Sequence, residues 1–582
     1  MYWCKVVPAS TYPDFLLAEL AIDAAVGGAA FILTFPVVAR MWSLSQADTP
    51  WRRRRSVTIR GVCHHPAMDI HFLGGATTVT GSQFLLSTER ARVLIDCGLF
   101  QGSPNESIRN RVPFGFDPGS LDAVVLTHAH LDHCGLLPLL VREGFPGAIH
   151  ATAGTVELAT LVLLDSGKLH EEFAKREARW EARNPDRAAA DDAKEAAEYE
   201  AAVALGTSEG TKADAEAELR GQPANVEVDL DEALYTVRDA ELAIERFAGT
   251  SYDREVEVAP GVHATFLDAG HILGSAIIRL RVIEHEGGEE RVIVCSGDLG
   301  RPGTPILRDP ARVGAADYVL VESTYGGREH EPSAEAIRIL AETIRMVAQA
   351  KGVLLVPSFA IGRTQEVVWQ LDRLIDRGEI PLLPLYLDSP MASRASDIYR
   401  RHPDYYDEET ARLLREGDSP LDHPDQHITN SSKASRAISA APRPHMIVAS
   451  SGMLTGGRVM AHLRELIDDP RATLLFVGYQ GEGTLGAHLQ AGVREVRIDG
   501  HTRTVRCQVR SISGFSAHAD ESELLTWLGS FGEGKAPGDA GFPRRVFLVH
   551  GDPEAQVALE PKVRELGFET HVPRWRERVT LD

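Results

Sequence analysis

The sequence has 582 residues, 43% hydrophobic and 25% charged; this length suggests roughly two to four domains of ordinary globular composition. Its formal charge of -22 argues against a surface that attracts polyanions as a whole, although a local basic groove or cations held in a cleft invert the field where it matters. Six cysteines, Cys4, Cys63, Cys97, Cys134, Cys295 and Cys507, are scattered without a C-x-x-C pair, which excludes a disulfide framework and fits a reducing, cytoplasmic setting.

Residues 1–67 read unlike the rest. An uncharged apolar run covers Ala24 to Ala39, with Glu19 and Asp23 before it and Pro36 inside it. Spanning a bilayer takes about 20 apolar residues, and this run is shorter. A signal peptide needs a basic segment ahead of its apolar core, and only Lys5 precedes this one. We read 1–67 as an atypical extension, disordered or non-native. No membrane contact is expected unless this run, followed by Arg52 to Arg55, is an anchor. A fluent strand, MDIHFLGG, begins at Met68.

From Met68 onward, short runs rich in β-branched residues or Leu are closed by Gly, Asp or Asn turns, the pattern of strands. Gln83 to Leu86, Arg92 to Ile95, Ala123 to Leu126, Val262 to Leu267, Ile277 to Val282 and Val292 to Cys295 are predicted strands. Together they read as stacked sheets with helices added, an αββα-like sandwich. Residues 171–220, dense in Ala, Glu, Lys and Arg, read as a charged, solvated helical insertion.

After Glu331 the pattern becomes α/β. Predicted helices cover Ser333 to Ala350 and Thr364 to Arg377; predicted strands cover Val353 to Pro357, Leu385 to Asp388, Met446 to Ala449 and Thr473 to Val477. Strands alternating with helices imply a parallel sheet, here a second domain over 331–500. Hairpin-like text then returns at Thr502 to Ile512, followed by a helix near Glu521 to Leu528 and a strand over Arg545 to Val549.

The chemistry concentrates in THAHLDHCG, Thr127 to Gly135, directly after a predicted strand. On an extended chain alternate side chains share a face, so His128, His130 and Asp132 are expected to point one way, with the following turn bringing in His133. Imidazole and carboxylate are donors that catalytic zinc accepts. Four such groups within six residues exceed what one catalytic zinc takes from such a stretch, so two metals are the economical explanation.

This HxHxDH string after a strand resembles the metallo-β-lactamase superfamily, over about Met68 to the C-terminus. The resemblance implies further donors: His271 in DAGHILGSA, Asp298 in CSGDLG and His550 in FLVHGD, each just past a strand. It implies two Zn2+ ions, one held by His128, His130 and His271, the other by Asp132, His133 and His550, with Asp298 bridging. Glu322 in DYVLVESTYG, His518 in GFSAHAD and the strings PSFAIGRTQE, LDSPMA, SSGMLTGGR and GYQGEGTLG resemble the β-CASP group, which inserts a domain into the lactamase fold. The expected organisation is a lactamase core over 68–330 and 501–582 with a β-CASP insert over 331–500.

The function this implies is zinc-dependent hydrolysis of single-stranded RNA, as an RNA-processing ribonuclease. Two metals can clamp the charge that grows on a phosphodiester under attack and supply hydroxide at neutral pH. Asp132, His518 and Glu322 are the expected catalytic residues; His518 would protonate the leaving oxygen, and Glu322 would fix its tautomer. Gly-rich turns at helix starts expose N–H groups to phosphates, which nominates Arg363, Arg394, Ser451, Thr455 and Gly456 as RNA contacts. Lys433, Arg436 and Arg443 form a weaker basic stretch. A small-molecule hydrolase of the superfamily is the first rival, but such enzymes resemble the core without the insert. Relatives resembling DNA-repair nucleases tend to lack a histidine at the position of His550. Exonucleolytic 5′–3′ relatives typically carry an extra C-terminal domain, so an endonuclease resembling cleavage factors is expected. The group also often pairs, so a homodimer is a further expectation.

Overall fold

The computed structural model describes residues 68–582 apart from 103, 186, 188–193, 204–231, 286–287, 479 and 482. The extension 1–67 and its apolar run therefore lie outside the described residues, as does much of the charged insertion. Among the described residues no helix is long and apolar enough to cross a membrane.

Two seven-stranded sheets form the centre. The first runs Glu577–Thr580, Asp69–Gly74, Gln83–Ser87, Arg92–Ile95, Ala123–Val125, Ala148–Thr152, Phe247–Thr250. The second runs Thr570–His571, Arg545–Val549, Tyr318–Glu322, Glu290–Cys295, Ala276–Ile283, Val262–Asp268, Glu255–Ala259. Because side chains alternate along a strand, each sheet feeds two cores. Phe84, Leu86, Val93 and Ile95 meet Phe266, Ile278, Leu280 and Phe547 between the sheets. Leu85, Leu94 and Val124, from the opposite face, pack under Leu158, Val162 and other helical residues. Val319, Val321 and Leu548 do the same on the second sheet, against Leu524, Leu528, Leu559 and Val563. The result is the αββα sandwich that the alternation predicts.

The insert is a separate six-stranded sheet, in the order Gln426–Ile428, Leu385–Leu387, His445–Ala449, Val353–Pro357, Ala472–Phe476, Gln508–Ser511. All of its pairings are parallel. Its central strand VLLVP is buried throughout, as a parallel strand covered by helices on both faces requires. Helices Ser333–Ala350 and Arg363–Asp376 cover one side, and Val459–Leu466 the other.

Three sequence expectations are modified. The sixth strand of the insert sheet, Gln508–Ser511, lies beyond residue 500. The segment read as a hairpin over 502–512 is split: His501–Thr504 pairs back with Glu495–Ile498, while Gln508–Ser511 runs parallel to Ala472–Phe476. The charged insertion grows from a helix that starts earlier, Ala153–Glu181. Its buried residues all lie between Gly154 and Gly167; the charged remainder of this helix, to Glu181, is mostly exposed.

Candidate metal centre

Every predicted metal donor sits where a strand of the sandwich ends. Strand Ala123–Val125 runs into an extended stretch through His128 and His130, and His130 caps a single helical turn, Leu131–Cys134. This refines the expectation for Asp132, which lies in that turn rather than on the extended chain. The change of backbone period separates the donors: His128 and His130 face one point, Asp132 and His133 another. Close approach is enforced by Gly98, where a Cβ would lie 1.7 Å from the Asp132 carbonyl oxygen. The other donors come from afar: His271 follows strand Val262–Asp268, Asp298 follows Glu290–Cys295, and His550 follows Arg545–Val549. His550 itself has φ +46°, a left-handed backbone that non-glycine residues adopt at a cost and that concentrates at functional sites.

Two donor sets result. In the first, His130 Nδ1 lies 3.1 Å from His128 Nε2 and 3.1 Å from His271 Nε2. Asp298 Oδ2 is 3.4 Å from His128 Nε2 and 3.6 Å from His271 Nε2. In the second, His133 Nε2 is 3.4 Å from His550 Nε2, and Asp132 Oδ2 is 3.7 Å from His550 Nε2. Asp298 Oδ1 completes this set, 3.2 Å from His133 Nε2 and 3.4 Å from His550 Nδ1. One carboxylate thus turns an oxygen to each set.

Hydrogen bonding tests whether a cation fits. His271 Nδ1 donates to the Ala517 carbonyl at 3.2 Å, which leaves Nε2 as a lone pair. Thr127 Oγ1 gives its hydrogen to Asp96 Oδ2 at 2.8 Å and lies 3.1 Å from His128 Nδ1; that nitrogen therefore donates, and His128 Nε2 is also a lone pair. His130 Nδ1 carries at most one hydrogen and cannot satisfy both neighbours. Lone pairs facing one another at 3.1 Å, beside a carboxylate, call for positive charge. The second set makes the same demand. Burial lowers the pKa of His133, but the Asp298 and Asp96 carboxylates outweigh it and push the value well up. That pocket favours a positive charge, whether a proton or a metal ion that displaces it. Burial holds His128 and His271 well below the usual histidine range, so both offer neutral nitrogens. Nitrogen and carboxylate donors in two clusters suit divalent zinc.

Asp96 was not singled out from the sequence. It follows strand Arg92–Ile95 in VLIDCG, a post-strand position like that of Asp298, but the family resemblance that nominated Asp298 was not extended to it. Its Oδ2 accepts from His133 Nδ1 at 2.7 Å, and its Oδ1 from the Thr127 N–H at 2.8 Å. It therefore fixes the tautomer of His133. Asp96→Asn should weaken metal binding about 10–100-fold, the usual cost of losing such a partner; titration against a competing chelator measures it.

His518 and Glu322 stand at the rim. His518 Nδ1 lies 3.1 Å from both Glu322 oxygens and 4.0 Å from Asp298 Oδ2. Glu322 is fully buried and accepts the Leu299 N–H at 2.7 Å. Burial lowers the His518 pKa, but the Glu322 carboxylate overrides it and raises the value to about 9.

The nominated RNA contacts divide. Ser451 and Thr455 hydroxyls are exposed and lie 2.9 Å apart, and Gly456 opens onto free space. Arg394 is exposed, with Asp165 at 3.5 Å. Arg363, by contrast, is buried and ion-paired with Glu366 one turn further along its helix. It lines a small cavity behind His271 and does not offer a solvent-facing cation. Of the basic stretch, Arg443 is paired with Asp469, while Lys433 and Arg436 are exposed.

The metallo-beta-lactamase superfamily model matches residues 76–205, the Beta-Casp domain model residues 364–489, and a Zn-dependent metallo-hydrolase RNA specificity domain model residues 502–573. The chain is 36% identical over 508 residues to Ribonuclease TTHA0252 of Thermus thermophilus, covering 87% of this chain and 99% of that protein. It is 32% identical over 521 residues to Transcription termination factor FttA of Methanosarcina mazei, covering 88% of this chain and 71% of the relative. The corresponding factor of Pyrococcus abyssi is 30% identical over 527 residues, covering 88% and 70%.

Proposed function

From the premise that this chain belongs to the β-CASP ribonucleases of the metallo-β-lactamase superfamily, and is a metal-dependent RNA-cleaving hydrolase, we propose that it cuts single-stranded RNA at internal phosphodiester bonds with two zinc ions. The observation that carries this reading is the single carboxylate, Asp298, whose two oxygens face two histidine-containing donor sets beside a paired His518 and Glu322. Bound zinc supplies Lewis acidity for the phosphate oxygens and a nucleophile from water at neutral pH. His128, His130 and His271 would hold one ion and Asp132, His133 and His550 the other.

The remaining steps belong to side chains. Glu322 keeps a hydrogen on His518 Nδ1, so Nε2 is the ring atom free to meet substrate. Protonated His518 presents an Nε2–H that can donate to a phosphate oxygen and then to the departing ribose oxygen. Glu322 stabilises the imidazolium before transfer and fixes the ring afterwards. Strands of the insert end at Pro357, Leu387, Ala449 and Phe476, and ligands bind beyond the carboxyl ends of parallel strands. The loop after Pro357 reaches the metal centre, since a Cβ on Gly362 would lie 4.0 Å from the His271 carbonyl. Ser451, Thr455, Gly456 and Arg394 are suited to contact the RNA backbone along that edge. Arg363 is left out because its charge is used internally.

Internal cleavage is the mode that the resemblance to cleavage-factor-like enzymes implies. A circular single-stranded RNA tests it, because a circle has no end. The expected result is a linear product, abolished by chelation and restored by zinc, from protein that carries two equivalents of zinc when purified. An intact circle beside a degraded 5′-monophosphorylated linear RNA would replace this mode with 5′–3′ exonuclease action. Salt must be fixed across substrates, since phosphate contacts make affinity strongly salt-dependent.

A further inference from the structure

The loop Gly270–Ser275 carries His271, and the lactamase core ties it down at several points. Ser275 Oγ accepts from the His271 and Ile272 N–H groups at 3.0 and 3.2 Å. Thr152 and Thr155 hydroxyls donate to the Gly274 carbonyl at 2.6 and 2.8 Å. The Tyr252 hydroxyl donates to the Ser275 carbonyl at 2.6 Å. A further tie comes from the insert. The Leu273 N–H donates to the hydroxyl of Tyr399, 3.1 Å away.

Tyr399 lies on helix Pro390–Arg401 and is 1% exposed. Its carbonyl accepts from the Tyr406 hydroxyl at 2.7 Å, which locks the helix turn beneath it. Ile272 and Leu273 share one buried cluster with Ile361, Ile398 and Tyr399. Gly362, at φ +81°, lets the insert backbone close on Ile272; a Cβ there would lie 2.9 Å from Ile272 Cγ2. Tyr399 thus reaches across the junction and holds the backbone two residues beyond His271.

We propose that Tyr399 is a positioning residue of the metal centre, through which the inserted domain sets the geometry and affinity of the first donor set. The inference rests on the reading of His271 as a metal donor. In Tyr399→Phe the ring still fills its place, but the Leu273 N–H is left buried without its acceptor, so the loop relaxes toward other arrangements.

Zinc titration of the full chain against a competing chelator tests this. Tyr399→Phe should weaken one of two equivalents by about 10–100-fold and leave the other unchanged, as for other groups that orient a metal ligand. Cleavage should return at saturating zinc with an unaltered KM for RNA. Tyr405→Phe removes a different tie between insert and core, the Gly154 N–H to Tyr405 hydroxyl bond at 3.2 Å, and should leave zinc affinity unchanged. His271→Ala should lose one equivalent outright. If His271→Ala loses its zinc while Tyr399→Phe binds as wild type, the positioning role fails and the donor assignment stands. If His271→Ala keeps both equivalents, the donor assignment itself fails. Equal weakening by Tyr399→Phe and Tyr405→Phe would indicate general loosening of the junction and overturn the proposal. Amide exchange in the unaltered chain is a second measurement that needs no variant. Added zinc should slow exchange at Leu273 and not at Gly154, and no change at Leu273 would count against the coupling.

Discussion

Replacing Asp298 with alanine is expected to abolish RNA cleavage and to empty both donor sets. Among the described residues Asp298 is the one carboxylate within 3.6 Å of nitrogens from both sets: Oδ1 faces His133 and His550, and Oδ2 faces His128 and His271. Removing it leaves the first set with imidazoles alone and the second with one carboxylate, Asp132. The negative charge that would balance two dications is thereby halved, while the spacing between the sets loses its strut. Burial would raise the carboxyl pKa, but His550, His133 and His128 hold it well below the usual carboxylate range; this residue is built to stay charged. The loss of activity should exceed about 10³-fold, more than the roughly 10–100-fold typical of partners outside the ligand set. Metal analysis of the purified variant and cleavage at saturating zinc are the measurements. Appreciable activity under those conditions would rule out a bridging role for Asp298. Asp298→Asn, which keeps the shape and removes the charge, separates the two contributions: charge alone accounts for the effect if it matches the alanine variant.

How far the sequence carries this centre depends on where each signal resides. The His128 to His133 string is local, so its chemistry is visible without a fold. His271, Asp298 and His550 are separated along the chain, yet each follows an apolar strand, and strands of a sandwich deliver their ends to a common rim. Asp96 escapes because its role lies in a contact with His133 that appears only after Arg92–Ile95 and Ala123–Val125 pair in parallel. Tyr399 escapes for the same reason on a larger scale, since its partner belongs to the other domain. For Arg363 the sequence does hold the relevant signal: Glu366, one helical turn later, supplies the partner that lets the guanidinium be buried.

The limits on fold are similar. Alternation and turn residues specify the strands of the sandwich and the parallel character of the insert. They do not say which strand is whose neighbour. Gln508–Ser511 reads as one arm of a hairpin because β-type residues run from Thr502 to Ile512. It joins the distant Ala472–Phe476 instead, because the short hairpin Glu495–Thr504 already uses the intervening chain to turn back on itself. Pairing at an edge depends on which partner remains free, and one segment's pattern carries no information about that.

His518→Ala should slow cleavage by about 10²–10⁴-fold, the range for loss of a general acid or base, while zinc content stays at the unaltered value. The two effects separate because His518 points its Nδ1 at Glu322 and stands 4.0 Å from Asp298 rather than within either donor set. A fall in zinc stoichiometry would instead make His518 a metal donor. The pH profile sharpens the test. Glu322, with smaller contributions from Asp298 and Asp132, raises the His518 pKa to about 9 against the opposing effect of burial, so the ring is mostly protonated, and able to donate, well below that value. Activity that depends on the donor is therefore present at neutral pH and lost as pH rises through the folded-state pKa. Bound zinc ions act against Glu322, so the alkaline limb of kcat should lie at or below about 9 in the loaded enzyme. Glu322→Gln removes the raising charge but keeps a hydrogen-bonding group of the same length. Its alkaline limb should move to lower pH, toward the ordinary histidine range near 6.5, with zinc content unchanged. A limb that stays in place in Glu322→Gln, or that persists in His518→Ala, would assign the titration to another group and leave the leaving oxygen without its proton donor.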